Sequence, residues 1–243
     1  MPNPILHFHP LSSCCQKVLI AARVLGASLD ARLLNLGDPV EREAFRTLWP
    51  LGKMPLLVEQ DTCIGETSII IEYLQCHHAA QGALLIPQDP AQALEVRFWD
   101  RVCDLYVMAP MQALTAALLQ PSGDGGGAAD AAARAMLLNT YAVLDRQLGG
   151  RQWLAGDSFS LADCAAAPAL FYAVAYVPLP ASHTALSAYV ERLMAHAPVA
   201  AVIDAARPWF KHFPGRAGLS RRYYDPDVMV PRRGLEPPRS CPR

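Results

Sequence analysis

The sequence predicts a chain in two parts, an α/β half followed by an all-α half. Three observations carry this. Strand and helix signals alternate up to His78, strand signals then stop at a Gly- and Pro-containing stretch, and helical periodicity fills the chain from about Ala91 to Lys211.

Ile5–His9 reads as a short strand that enters a turn at Pro10-Leu11-Ser12-Ser13. Cys14–Leu25 follows as a helix, with Val18, Leu19, Ala21, Ala22 and Leu25 forming an apolar face and Gly26 suited to its C-terminus. Leu29–Leu36 alternates as a second strand. Asp38-Pro39 opens a helix, with proline in its first turn and Glu41 nearby, and Pro50 follows its end. Leu56-Leu57-Val58 and Thr62-Cys63-Ile64 are short strands joined at Gln60-Asp61, and Thr67 or Ser68 can cap a helix carrying Ile69, Ile70, Tyr73 and Leu74. The order is βαβ followed by ββα.

Ala79–Pro90 reads as a linker. Beyond it, Ala91–Leu119 is one long helical pattern that Pro110 is expected to kink. A glycine-rich loop at Pro121–Gly127 leads to a helix over Ala128–Leu148 that ends at Gly149-Gly150. Leu161–Tyr176, Thr184–Ala195 and Val199–Phe210 complete the helical half. The predicted division is residues 1–79, a linker at 80–90, a helical domain at 91–213, and a basic, unanchored tail at 214–243.

Hydrophobic residues make up 52% of the 243 residues and charged residues 18%, enough for a sizeable core. The net charge of −1 argues against nucleic-acid binding by bulk electrostatics. Nine Lys or Arg stand against three Asp or Glu from Arg207 onward, so the tail is basic and the body acidic. Met1–Pro10 lacks the basic start and apolar run of a signal peptide, and no uninterrupted apolar stretch suggests a membrane span. Seven cysteines at irregular spacing, with no C-x-x-C pair, fit reduced thiols in a cytoplasm.

Three segments carry candidate chemistry. The first is Ser12-Ser13-Cys14-Cys15 at the strand-to-helix turn. A helix N-terminus stabilises an anion such as a thiolate, and a hydroxyl there can donate to it. On the local sequence alone the plain helix cap is the favoured reading of these serines, because Ser before a helix is commonplace. In the second, Lys53-Met54-Pro55, the proline at the head of a strand is a candidate cis bond. Such a bond would leave the Met54 backbone free to pair with a peptide ligand. The third is Gly65-Glu66-Thr67-Ser68, where a helix N-terminus would receive a carboxylate and Glu66 an ammonium group; an ordinary capped helix is the competing reading. A fourth segment, Ser160-Leu161-Ala162-Asp163, has capping-box spacing with Asp in place of Glu or Gln. Phe159 is placed to staple against Cys164.

In this order the segments resemble the glutathione-transferase family. HPLSSCCQKVLIA is similar to its active-site turn and first helix, WPLGKMPLL to the stretch around its cis-proline, GETSIIIEYL to its γ-glutamyl-binding motif, and FSLADCAAAPAL to the N-capping box of its second domain. The resemblance spans Ile5 to Phe213. It implies a thioredoxin-like N-terminal domain, a helical C-terminal domain and a cytoplasmic homodimer. It also implies glutathione as co-substrate with no tightly bound cofactor and no metal. The implied activity is conjugation of the glutathione thiolate to small hydrophobic electrophiles.

Carried over by position, Ser12 falls at the catalytic Ser or Cys, with Ser13 and Cys14 following as in the zeta-like Ser-Ser-Cys run. Met54 and Pro55 match the glutathione-cysteine contact and the cis-proline, Glu66 and Thr67 the γ-glutamyl binders, and Lys53 a partner for the glycine carboxylate. Tyr106, Met108 and Met111 are candidate walls of the electrophile pocket, or ordinary core. Two departures stand out: Trp49 replaces a common Asn, and Cys15-Gln16-Lys17 differs from the zeta Ser-Trp-Arg. Three alternatives stay open: a thiol-disulfide oxidoreductase using Cys14, a zeta-like isomerase, and a non-catalytic binding module. His7 and His9 flank Phe8 and could be half a metal site, or packing groups. Cys63, Cys76, Cys103 and Cys164 are expected to be buried.

Overall fold

A computed structural model describes residues 2–119 and 127–225. The N-terminal elements run β1 (Ile5–Phe8), α1 (Ser13–Leu25), β2 (Asp30–Leu33), α2 (Pro39–Leu48), β3 (Leu56–Glu59), β4 (Thr62–Ile64) and α3 (Thr67–His77). The helical part comprises α4 (Pro90–Cys103), α5 (Ala109–Leu119), α6 (Ala128–Gln147), α7 (Leu161–Tyr176), α8 (Thr184–Ala195) and α9 (Ala197–Ala206).

The four strands form one sheet in the order β2-β1-β3-β4, with β1 parallel to β2 and the other pairs antiparallel. This is the thioredoxin-like arrangement. Side-chain alternation along each strand divides the sheet's two faces. Leu6, Leu57 and Ile64 join the main core with Val18, Ile20, Ile70 and Leu74 from α1 and α3. On the other face Leu34, Leu56 and Phe45 of α2 form a small second core. β2 is shorter than its alternation predicted and its side chains are exposed, as suits an edge strand. Gly26 ends α1 at φ 67°, a left-handed conformation that suits glycine, and its N–H meets the carbonyls of Ala22 and Arg23.

The long helix expected over Ala91–Leu119 runs from Pro90 to Leu119, and its hydrogen-bond ladder changes before Pro110. The chain widens into a π-helical turn at Asp104–Met108, and the Ala109 N–H reaches the Asp104 carbonyl. Proline has no N–H to donate and its ring crowds the carbonyl four residues back, so the ladder yields just ahead of it. By length and composition the helix Pro90–Leu119 could cross a membrane. Here it carries the buried Asp100 and packs against α7.

α7 also packs on α1, and its residues from Leu161 to Ala173 are all buried, which explains why it is apolar on every side. Its start is held by Asp163. That carboxylate accepts the Ser160 N–H at 2.8 Å, the Ser160 hydroxyl at 2.9 Å, the Leu154 N–H at 3.0 Å and the Tyr189 hydroxyl at 2.6 Å. Phe159, the residue predicted to staple this start, packs against the main core and joins an aromatic stack. Phe159 lies parallel to His196 at 4.2 Å and edge-on to Trp153 at 5.1 Å.

α9 stops earlier than predicted. Pro208 cannot extend its hydrogen-bond ladder, and a 3-10 turn at Arg207–His212 takes over. Part of the segment predicted as an unanchored tail, residues 214–225, is packed on the helical part. Short 3-10 turns at Arg216–Gly218 and Arg221–Tyr223 bury Leu219 and Tyr223 against the helical part, because two apolar side chains anchor a stretch whose composition reads as unattached. Residues 226–243 and 120–126, which include the predicted glycine-rich loop up to residue 126, lie outside the described residues.

Candidate active site

Ser12 is the N-cap of α1. Its extended backbone lets Oγ accept the Cys15 N–H at 3.3 Å, while its carbonyl accepts the Gln16 N–H at 2.9 Å. Accepting at Oγ leaves the hydroxyl proton free to be donated, so the cap and the thiolate donor are compatible roles for one side chain. Ser13 is buried at the first helical position. Cys14 follows, half-buried, with Sγ 3.4 Å from Met108 Sδ and 3.4 Å from Gln112 Nε2.

Two cavities meet at this turn. One is an open cleft of about 490 Å³ between the N-terminal domain and the helix α4–α5. It gathers Ser12, Cys14, Lys53, Met54, Pro55, Glu66 and Thr67 with Arg101, Asp104 and Met108. The other is an apolar pocket of about 450 Å³, lined by Leu11, Ser13, Met111, Thr115, Tyr172 and Phe213 among others. Ser12, Met54 and Gln112 line both.

The cleft suits a zwitterionic peptide. Met54–Pro55 is a cis peptide bond. Among the described residues, none of the backbone bonds outside helices and strands uses the Met54 N–H or C=O. Glu66 precedes α3 at φ 64°, a conformation that costs a non-glycine residue on the order of 1–3 kcal/mol and aims its carboxylate and the helix N-terminus at the cleft wall. Cationic Lys53 and Arg101 share the cleft with anionic Glu66 and Asp104. Trp49, the departure from the usual Asn, packs on Gly65 so closely that a Cβ there would lie 2.5 Å from the indole.

The electrostatics of Cys14 oppose a reactive thiolate. Burial pushes its thiol above the ordinary range, and Asp104 adds to this. Hydrogen bonding from Gln112 and Ser13 and the charge of Lys17 only partly offset the rise. Tyr106 is exposed and lines neither cavity, so its predicted place in the electrophile pocket is not met. Met111 does line the apolar pocket. Met108 instead faces Cys14 in the cleft.

Several site residues escaped the sequence reading. Gln112 and Thr115 lie on the same helix as Met111, and helical spacing from Met108 leads to both. Tyr172, His212 and Phe213 come from distant parts of the chain and carry no local signal. Lys17 is fully buried, its ammonium 2.6 Å from Asp100, 2.9 Å from Asp104 and 3.0 Å from Ser68, whose hydroxyl donates to Asp100 at 2.6 Å. The two carboxylates outweigh burial and hold the Lys17 ammonium above its ordinary range. This cluster fastens the first turn of α3 and the π turn, both walls of the cleft, to α1. A lysine on the apolar face of α1, four residues before Ala21, was the available clue.

His7 and His9 do not form half a metal site. His7 packs under α2 against Phe45, and His9 lies edge-on to Trp209, because β1 ends at Phe8 and the chain turns between them. Cys103 and Cys164 are buried as expected. Cys63 is half-buried and Cys76 exposed, the latter away from the Ile70-Ile71-Leu74 face of α3.

Sheet order, cis-proline turn, paired cavities and helical second domain define the architecture of the cytosolic glutathione transferases. Residues 6–82 match the family profile of the glutathione S-transferase N-terminal domain and residues 112–192 that of the C-terminal domain. Glutathione S-transferase 3 of Zea mays is 33% identical over 164 residues, 65% of this chain and 72% of that protein. Maleylacetoacetate isomerase of Rattus norvegicus is 28% identical over 173 residues, 68% of this chain and 76% of that protein. Among solved structures, a glutathione S-transferase from Methylobacillus flagellatus with glutathione bound superposes with a TM-score of 0.73 at 27% identity, covering 82% of this chain and 98% of that one. The chain belongs to the glutathione S-transferase family.

Proposed function

We propose that the protein conjugates the glutathione thiolate to small hydrophobic electrophiles. The observation that carries this is the position of Ser12. Of the three residues in the Ser12-Ser13-Cys14 run it alone borders both cavities, at the point where a sulfur held in the cleft would meet a molecule in the apolar pocket. Met54 would pair with the tripeptide backbone. Glu66 and Thr67 would hold its γ-glutamyl head, and Lys53 its glycine carboxylate. The Ser12 hydroxyl and the N-terminus of α1 would lower the thiol pKa of bound glutathione, raising its nucleophilic fraction at neutral pH.

Glutathione-dependent isomerisation would use the same thiolate. The residues lining the apolar pocket include no Lys or Arg to meet a dicarboxylate, which favours conjugation. The protein is also proposed to act as a homodimer. Leu94, Phe98 and Leu105 form an exposed apolar stripe on α4 and the π turn, beside the Glu72–Arg97 ion pair that joins α3 to α4.

The test is Ser12→Ala. Glutathione affinity by calorimetry is expected to stay within a few-fold, while kcat/KM for conjugation falls on the order of 10²-fold, the scale of a lost anion-stabilising donor. The thiolate absorbance of bound glutathione is expected to titrate at higher pH. Unchanged conjugation would remove Ser12 from the mechanism, and absence of glutathione binding by the folded wild type would remove the proposal.

A further inference from the structure

Among the polar groups that line the apolar pocket, His9 stands at the start of the turn that carries Ser12. The Leu11 N–H donates to His9 Nδ1 at 3.2 Å, so Nδ1 carries the lone pair and the ring proton sits on Nε2. The Ser12 N–H donates to the His9 carbonyl at 3.0 Å, which ties the imidazole and the Ser12 hydroxyl into one turn. Trp209 lies edge-on at 4.9 Å and holds the ring from the side. Among the described residues, Nε2–H has no acceptor in the protein.

The titratable groups that line the pocket with His9 are His212 and Tyr172, with no acidic residue among its lining side chains. Tyr172 accepts from Gln16 Nε2 at 2.8 Å, and burial lifts its phenol pKa, so it stays protonated. Burial, and then the nearby His212, keep the His9 pKa below the ordinary histidine value, so the ring is a neutral donor at neutral pH. A neutral N–H in a largely apolar pocket, in the turn that carries Ser12, is placed to receive an oxygen that gains negative charge.

We propose that His9 Nε2–H receives the carbonyl oxygen of the electrophile, and that His9 thereby selects α,β-unsaturated carbonyl compounds over electrophiles without an acceptor oxygen. The inference rests on the conjugation reading above. The glutathione thiol first releases its proton to solvent. The thiolate sulfur then bonds to the β-carbon. The C=C pair shifts toward the carbonyl carbon and the C=O pair moves to oxygen. The resulting enolate oxygen accepts the His9 Nε2–H hydrogen bond, and the α-carbon takes a proton from water. Thiol and enone sum to the adduct with no oxidant or reductant.

Two substitutions separate this role from a structural one. In His9→Asn the side-chain oxygen replaces Nδ1, keeping the Leu11 bond, and the shorter amide carries no N–H to the position of Nε2. In His9→Gln the amide nitrogen replaces Nε2, keeping the donor and losing the Leu11 bond. The readout is the ratio of kcat/KM for benzylideneacetone to that for benzyl chloride, which has no acceptor oxygen. His9→Asn is expected to lower this ratio at least about tenfold, toward the loss seen for oxyanion donors, and His9→Gln to hold it within a few-fold of wild type. An unchanged ratio in His9→Asn, or a larger loss in His9→Gln, overturns the proposal. Wild type that conjugates benzyl chloride and not the enone overturns it with conjugation intact. Wild type that binds glutathione and conjugates neither compound overturns the conjugation reading and this inference together.

Discussion

At the scale of single residues, Ser12 and Cys14 are two positions apart and chemically opposed. The Ser12 hydroxyl keeps its proton for donation because its oxygen is already accepting at the helix cap. Cys14 also sits in the first turn of α1, where the helix dipole lowers thiol pKa, yet burial outweighs that effect and raises it. Its thiolate fraction at neutral pH is therefore smaller than that of free cysteine. Alkylation of Cys14 by iodoacetamide at neutral pH is expected to run slower than that of free cysteine and to accelerate only above the ordinary thiol range. Peptide mass mapping against pH checks this. Fast labelling at neutral pH, or a stable glutathione adduct at Cys14, would favour the oxidoreductase reading over conjugation.

At the scale of elements, α7 depends on one carboxylate. Asp163 is fully buried, and burial pushes its carboxyl above the usual range despite the four donors around it. The group is worth keeping because those donors, two N–H and two O–H, have no other partner once the helix docks. Asp163→Ala is expected to destabilise the fold by about 2–5 kcal/mol, the range for breaking a buried hydrogen-bond network. Urea denaturation would read the loss, and a change below about 0.5 kcal/mol would show the cap to be dispensable. The capping box was legible because it is a four-residue pattern. Its partners Leu154 and Tyr189 were not, since nothing local ties them to Asp163.

At the scale of the whole molecule, His7, His9 and His196 are all held below the ordinary histidine value of 6.5, in each case chiefly by burial. Just below that value the unfolded chain binds more protons than the folded one, so stability rises with pH through this window and levels off above it. Melting temperature followed between about pH 5 and about pH 8 is expected to trace that rise. A flat profile would contradict it. The stripe of Leu94, Phe98 and Leu105 makes the second prediction at this scale. Phe98→Glu is expected to shift the protein from dimer to monomer by light scattering, with its helical content kept. A wild type that is monomeric at micromolar concentration would refute the dimer.

By itself the sequence determined the order of strands and helices, the cis-proline turn, the capping box and the Ser12 turn. Each depends on residues within a few positions of one another, where backbone sterics and hydrogen bonding act. Only the tertiary structure decided which of Ser12, Ser13 and Cys14 borders both cavities. It also decided that Tyr106 lines neither cavity, that Lys17 binds the cleft walls together, and that His9 faces the pocket with an unclaimed donor. Those facts arise from groups up to a hundred or more residues apart brought into contact, and from burial, which sets the charge state of a side chain and cannot be read from its neighbours along the chain.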